Sequence, residues 1–376
     1  MPFWWKGNKI ILLLKNILYD IKYVEIYSGG IDLKKNIKNY TLEDLKEELK
    51  NIGEKPFRAE QIFKWLYIDK VSSFDDMTNL SLDLRKKLSE IYEIKEFEIV
   101  HKLVSKDGTK KYLFNVKDED NNLIETVLMS YHHGYTICVS SQIGCKMGCK
   151  FCASTGIPFS RDLEAGEIVE QLLSIERDEG VKISNIVFMG IGEPLDNFDN
   201  VMKSIEIINH QKGLNIGARH ISISTSGLVP KIKEMADKKM QCTLSFSLHS
   251  SNNKKRSEMM PVNNRYPIEE LMDACKYYIE KTNKRISFEY ALAKDNNDNL
   301  DDAKDLVKLL KGMIAHVNLI PINKIEDGAY TKSTNENIIR FRDYLNDHGI
   351  VATIRRELGS DIDAACGQLR RQNLKK

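Results

Sequence analysis

Three cysteines spaced Cys145-x-x-x-Cys149-x-x-Cys152 are the residues whose type and spacing most directly imply chemistry. Iron–sulfur cubanes are usually held by four thiolates. A set of three leaves one iron with an exchangeable position, as catalytic metal sites keep one coordination position open. The competing reading is a zinc site with Cys138 as fourth ligand, although the seven-residue step from Cys138 to Cys145 suits a zinc knuckle poorly. Four of the seven cysteines crowd between Cys138 and Cys152, which points to metal or redox chemistry and not to a disulfide scaffold. Cys242 and Cys275 read as small buried hydrophobes. Cys366, set in Asp361-Ile-Asp-Ala-Ala-Cys366-Gly, has small neighbours that leave room around its sulfur.

Other polar residues cluster where strands should end. Gly190-x-Gly192-Glu193-Pro194 offers glycines that let backbone approach a ligand and a carboxylate able to grip an ammonium. Ser224-Thr225-Ser226-Gly227, Ser247-Leu248-His249 and Asn323 follow later apolar runs. Each alone reads as a turn or cap; together they converge on the strand-end face where β/α barrels carry chemistry. Glu125, between Ile124 and Val127, is on spacing alone better placed on a solvent face than in a site.

The elements that must position these groups are legible in outline. Thr41 can cap a helix with Leu42, Leu45, Leu49 and Ile52 on one face, stopped by Gly53. A second helix carries Ala59, Ile62, Phe63 and Leu66, and a third runs from about Ser81 to Ile91. A hairpin turn at Lys106-Asp107-Gly108-Thr109 precedes the alternating Tyr112, Phe114 and Val116. Six runs then alternate with amphipathic helices: Thr136–Ser141, Asn185–Met189, His220–Thr225, Thr243–Leu248, Arg285–Tyr290 and His316–Ile320. The helical patterns include Ala165–Glu179, Ile268–Ile279 and Asp302–Leu310. This is the pattern of an α/β chain with a full or partial parallel barrel.

With 376 residues, 56 basic and 54 acidic side chains and a formal charge of +2, the chain neither demands nor excludes a nucleic-acid partner. The apolar fraction of 42% and charged fraction of 29% are those of a globular protein. The apolar stretch Ile10–Leu14 is broken by Lys15 and reads as neither signal peptide nor membrane span, so a reducing cytoplasmic setting is expected. Residues 1–36 are aromatic and lysine-rich without clean periodicity, as in a disordered arm or a wrongly included start.

The cluster loop, with Phe151 before its last cysteine, resembles the radical S-adenosylmethionine superfamily. In that superfamily the amino and carboxylate groups of the cofactor chelate the open iron, and an electron from the cluster releases a 5′-deoxyadenosyl radical. Residues 138–152, 188–197, 260–268 and 361–369 together resemble the RlmN family of RNA methyltransferases, from about residue 38 to the end of the chain. The resemblance implies a partial (β/α)6-type TIM barrel radical core over 135–350. A helical RNA-binding accessory domain would span 37–95, short antiparallel strands 96–134, and a segment bearing the methyl-carrying cysteine 351–376.

It further implies methylation of adenine carbon 2 in 23S rRNA (adenosine 2503) and tRNA (adenosine 37). One [4Fe-4S] cluster would sit on Cys145, Cys149 and Cys152, and two S-adenosylmethionine molecules would be used per turnover. Cys366 would carry the methyl group as S-methylcysteine, Glu125 would accept a proton, and Cys138 would help remove the ring proton and form a transient disulfide with Cys366. Gly192, Glu193, Ser224, Ser247, Leu248, His249 and Asn323 match the family's cofactor contacts. A flavodoxin-like electron donor and a monomeric enzyme free of membrane are expected. Lys55, Arg58, Lys254, Lys255, Arg256, Arg370 and Arg371 are candidate phosphate contacts, with solvated surface an equal reading. The sister family Cfr, which methylates adenine carbon 8, and a zinc-stabilised RNA-binding protein without catalysis are the alternatives.

Overall fold

A computed structural model describes residues 34–156, 158–323, 329–364 and 368, together with the backbone of three N-terminal strands. Those strands, Phe3–Lys6, Lys9–Lys15 and Ile21–Tyr27, pair as a separate antiparallel sheet. The aromatic and β-branched content of these runs suits strands.

Local signals start the helices. The Asp44 amide donates to the Thr41 hydroxyl and the Thr41 amide to the Asp44 carboxylate, both at 3.1 Å, a reciprocal cap for α1 (Leu42–Asn51). Leu42, Leu45 and Leu49 are its buried face. α2 (Arg58–Lys64) buries Ala59, Ile62 and Phe63 and runs into one wider turn, Trp65–Asp69. Ser81 caps α3 (Leu82–Ile91). The apolar faces of these helices are continuous with the core of the sheet that follows.

That sheet has ten strands in simple sequence order. β1 (Glu98–Val104), β2 (Lys110–Asn115), β3 (Leu123–Tyr131) and β4 (Gly134–Cys138) form an antiparallel meander. From β4 onward every pairing is parallel: β5 (Ile183–Phe188), β6 (Ile221–Thr225), β7 (Thr243–Ser247), β8 (Ile286–Leu292), β9 (Ala315–Pro321) and β10 (Val351–Ile354). Since β1 and β10 remain its edges, the barrel is partial. β10 is one parallel strand more than the six expected. It has four residues with only Ala352 buried, too short to register as a period.

The covering helices are α4 (Ala165–Glu179), α5 (Phe198–Asn209), α6 (Val229–Asp237), α7 (Asn253–Met259), α8 (Ile268–Thr282), α9 (Leu300–Leu310) and α10 (Asn335–Asp347). α4 is buried nearly all round because the N-terminal helical region covers its outer face. There its buried acids meet lysines: Glu170 pairs with Lys38, Glu167 with Lys95 at 3.0 Å, and Glu176 with Lys70 at 2.7 Å. Among the described residues no helix is long and apolar enough to cross a membrane.

Candidate active site

The parallel strands end around one cavity whose lining brings together polar and apolar groups from several successive strand ends. Cys145, Cys149 and Cys152 line it from the loop after β4, and Gly192 and Glu193 from the loop after β5. Ser224 comes from β6, Ser247 and His249 from the end of β7, and Asn323 from just past β9. Leu248 does not line it. Its side chain is wholly buried in the core, while Ser247 and His249 on either side of it line the cavity.

The cluster loop is pinned by its backbone. The Lys150 amide donates to the Met259 carbonyl at 2.9 Å, and the Cys152 amide to the Cys149 carbonyl at 3.1 Å. Burial pushes the Cys145 thiol up to about 12, with Cys152 and Glu193 adding repulsion. Cys149 is raised further by burial and then by its two cysteine neighbours, against Arg256, which favours its thiolate. Metal must therefore displace these protons to bind. Cys138 lines an adjoining cavity and not this one. Three clustered thiols with no fourth cysteine among the lining residues fit a cubane with one open iron.

The glycines of the second loop, Gly190 and Gly192, line the cavity and are also packed tightly against the protein behind them. Gly192 has φ 105°, and a Cβ there would stand 2.6 Å from the Gln142 side chain. Gln142 then takes the Glu193 amide at 2.8 Å and donates to Asp162 and Asp196 at 2.8 and 2.9 Å. The Glu193 carboxylate accepts the Leu195 and Ser226 amides at 3.0 and 2.7 Å. Burial raises its pKa against those bonds. A cationic ligand group would restore the charge.

His249, at φ 55°, accepts the Ala291 amide on Nδ1 at 2.9 Å, which leaves Nε2 as its donor. Burial and then the charge of Arg256 lower its pKa to about 3, so the ring is neutral. Arg256, expected on an RNA-facing surface, is instead 1% exposed. It donates to the carbonyls of Ser226, Ser247 and Leu248 at 2.8, 3.1 and 3.0 Å and to Asn263 at 2.7 Å. A guanidinium spends its fixed fork on strand-end carbonyls that would otherwise be buried unpaired. Lys255 is tied to Asp302 at 2.6 Å, whereas Lys254 and Lys55 are exposed. Arg58 packs over the Phe57 ring and donates to Gln61 at 2.7 Å.

The adjoining cavity, about 570 Å3, shares Met189, Ile320, Pro321, Asn323 and Arg355 with the first. Val127, Met129, Cys138 and Ala364 complete much of its apolar wall. Glu125 is 2% exposed, the opposite of the solvent face that spacing favoured. Both faces of β3 are covered, so its apolar and polar residues are buried alike. By strand alternation Glu125 shares the face of Val127 and Met129. Cys366, Arg370 and Arg371 lie outside the described residues.

Sequence reasoning missed three groups here. Glu289 is a buried carboxylate on β8 that lines the first cavity, takes the Asn318 amide at 2.7 Å and lies 3.6 Å from Arg355. Gln142 and Arg355 are the others. A lone acid inside an apolar run was the available signal for Glu289; for Arg355 there was none, because β10 was not recognised.

Residues 35–94 match the model for the ribosomal RNA large subunit methyltransferase N-terminal domain, and residues 139–310 that for the radical SAM superfamily. The chain is 53% identical over 342 residues to the "Probable dual-specificity RNA methyltransferase RlmN" of Clostridium novyi (strain NT), spanning 91% of this chain and 99% of that protein. It is 55% identical over 342 residues to the protein of the same name from Clostridium perfringens (strain SM101), spanning 91% and 98%. The crystal structure of a radical SAM methyltransferase from Sphaerobacter thermophilus superposes with a TM-score of 0.85 at 41% identity, covering 89% of this chain and 99% of that one.

Proposed function

This chain belongs to the RlmN family of radical SAM RNA methyltransferases, and from that membership we propose that it methylates carbon 2 of adenine in 23S rRNA (adenosine 2503) and in tRNA (adenosine 37). The observation that carries the reading is the pair of adjoining cavities. One is lined by the three cluster cysteines; the other by Cys138 and by Ala364, two positions before Cys366.

Carbon 2 of adenine is not nucleophilic, so direct polar transfer from a sulfonium fails and a covalent route divides the reaction. When bound, the [4Fe-4S] cluster and S-adenosylmethionine supply the one-electron cleavage that generates a carbon radical. Cys145, Cys149 and Cys152 hold the cluster. Glu193 accepts the cofactor's ammonium, while Ser224, Ser247, His249 and Asn323 orient the rest of it. Cys366 takes a methyl group from a first cofactor molecule by displacement, and a second molecule is consumed in activating that methyl group. Joined to carbon 2, the methylene would link RNA to Cys366 until Glu125 accepts the ring proton and the odd electron returns to the one-electron donor; the Cys138 thiolate would then attack the Cys366 sulfur, forming the disulfide and breaking the sulfur–methylene bond, and the released carbon would take up a proton as the new methyl group. The next cycle then needs a reductant, which a flavodoxin-like donor would supply. The target base must leave its stack to reach so enclosed a site.

The test is nucleoside analysis of unmodified 23S rRNA and tRNA treated anaerobically with the reconstituted chain. 2-Methyladenosine is expected; 8-methyladenosine overturns the assignment. Cys366→Ala should abolish methylation while cofactor cleavage persists, and Cys138→Ala should accumulate a protein–RNA adduct on denaturing gels.

A further inference from the structure

One buried cation is used by none of these roles. Lys111, on β2, has a side chain only 5% exposed, a rare situation for lysine unless it is paired. Its Nζ lies 3.5 Å from Glu125 Oε1 and donates to the Asp363 carbonyl at 3.2 Å. Strand register explains the first contact: Lys111 stands opposite Val127, and Val127 opposite Cys138, so Lys111, Glu125 and Cys138 share one face of the sheet. The second contact reaches the chain three positions before Cys366.

The neighbouring turn holds the same segment. The Asp107 carboxylate accepts the Gly359 amide at 2.9 Å, and the Asp361 carboxylate accepts the Ser105 hydroxyl at 2.5 Å and the Lys106 amide at 3.2 Å. Although burial opposes it, hydrogen bonds from Gly359, Thr109 and Ser105 keep the Asp107 carboxyl at about 2, so this grip is charge-assisted. The hairpin that read as a simple turn is thus a clamp on residues 359–363.

We propose that Lys111 is a positioning residue for the methyl transfer, its ammonium, itself held by the Asp363 carbonyl, keeping Glu125 as a carboxylate. Lys111 changes no bond itself. Removing its charge takes an opposite charge away from a buried carboxylate, which favours the protonated form of Glu125. Glu125 then cannot accept the proton of carbon 2. The inference rests on the roles given above to Glu125 and Cys366.

The experiment uses the reconstituted full chain, with four readouts: Cys366 methylation by intact mass, 5′-deoxyadenosine release, protein–RNA adduct, and methylated RNA. Lys111→Met is expected to retain the first two within about twofold while product falls ~100-fold, the scale of a lost general base, and adduct accumulates. Lys111→Arg should restore much of the turnover. Where Lys111→Met fails to fold, Lys111→Met/Glu125→Gln removes both charges and should fold, with turnover equal to Glu125→Gln alone. Near-wild-type turnover of Lys111→Met beside an impaired Glu125→Gln overturns the inference alone, as do additive losses in the double variant. Full turnover of Glu125→Gln overturns the base assignment and the inference with it.

Discussion

At the scale of single residues, the site relies on groups whose charge state burial has decided. His249 shows it most directly. Its ring takes up a proton only near pH 3 in the folded chain, against the ordinary 6.5, because it is buried and faces Arg256. The unfolded chain binds that proton from about pH 6.5 downward. Stability is therefore complete above pH 6.5 and falls as pH drops towards 3, by roughly 1.4 kcal/mol per unit. His249→Asn keeps an acceptor for the Ala291 amide, tolerates the left-handed backbone and removes the titration. Urea midpoints of the cluster-free chain should fall more steeply between pH 6 and 4 for the wild type than for this variant. Parallel curves would show that the ring is not an acid-sensitive group.

At the scale of elements, each strand end is held by a side chain from elsewhere. Gln142 locks the loop after β5 to the cluster strand, and Arg256 joins the ends of β6 and β7. The close fit at Gly192 makes this loop brittle. Gly192→Ala must relieve both a positive φ and a 2.6 Å contact with Gln142. The expected cost is roughly 1–3 kcal/mol of stability, with a larger loss of cofactor affinity because Glu193 moves with the loop. Equilibrium dialysis of S-adenosylmethionine beside thermal melting would check it, and unchanged affinity would separate the loop from cofactor binding.

At the scale of the whole molecule, the N-terminal helical region and the barrel share one apolar core and a set of lysine–glutamate pairs along α4. They should unfold in one transition, and Lys38→Met, which leaves Glu170 with Arg177 and Ser174 but without its buried lysine, should lower stability by roughly 2 kcal/mol. A separate early transition in denaturant would contradict the shared core. The sequence by itself determined the family and most of the element types. Spacing singled out three cysteines that line one cavity, and a cap at Thr41 with clean helical periods marked α1, α3 and α4. Such signals are local, carried by a few consecutive residues. It also named Glu193, Ser224, Ser247 and His249, because polar residues at strand ends share one face of any β/α barrel. Only the tertiary structure decided the burial of Glu125, the inward turn of Arg256, the strand hidden in Val351–Ile354, and the clamp joining Ser105, Asp107 and Lys111 to residues 359–363. Each depends on partners distant in the chain, and the cost of burying a charge or carbonyl unpaired is set by those partners, which no local pattern records.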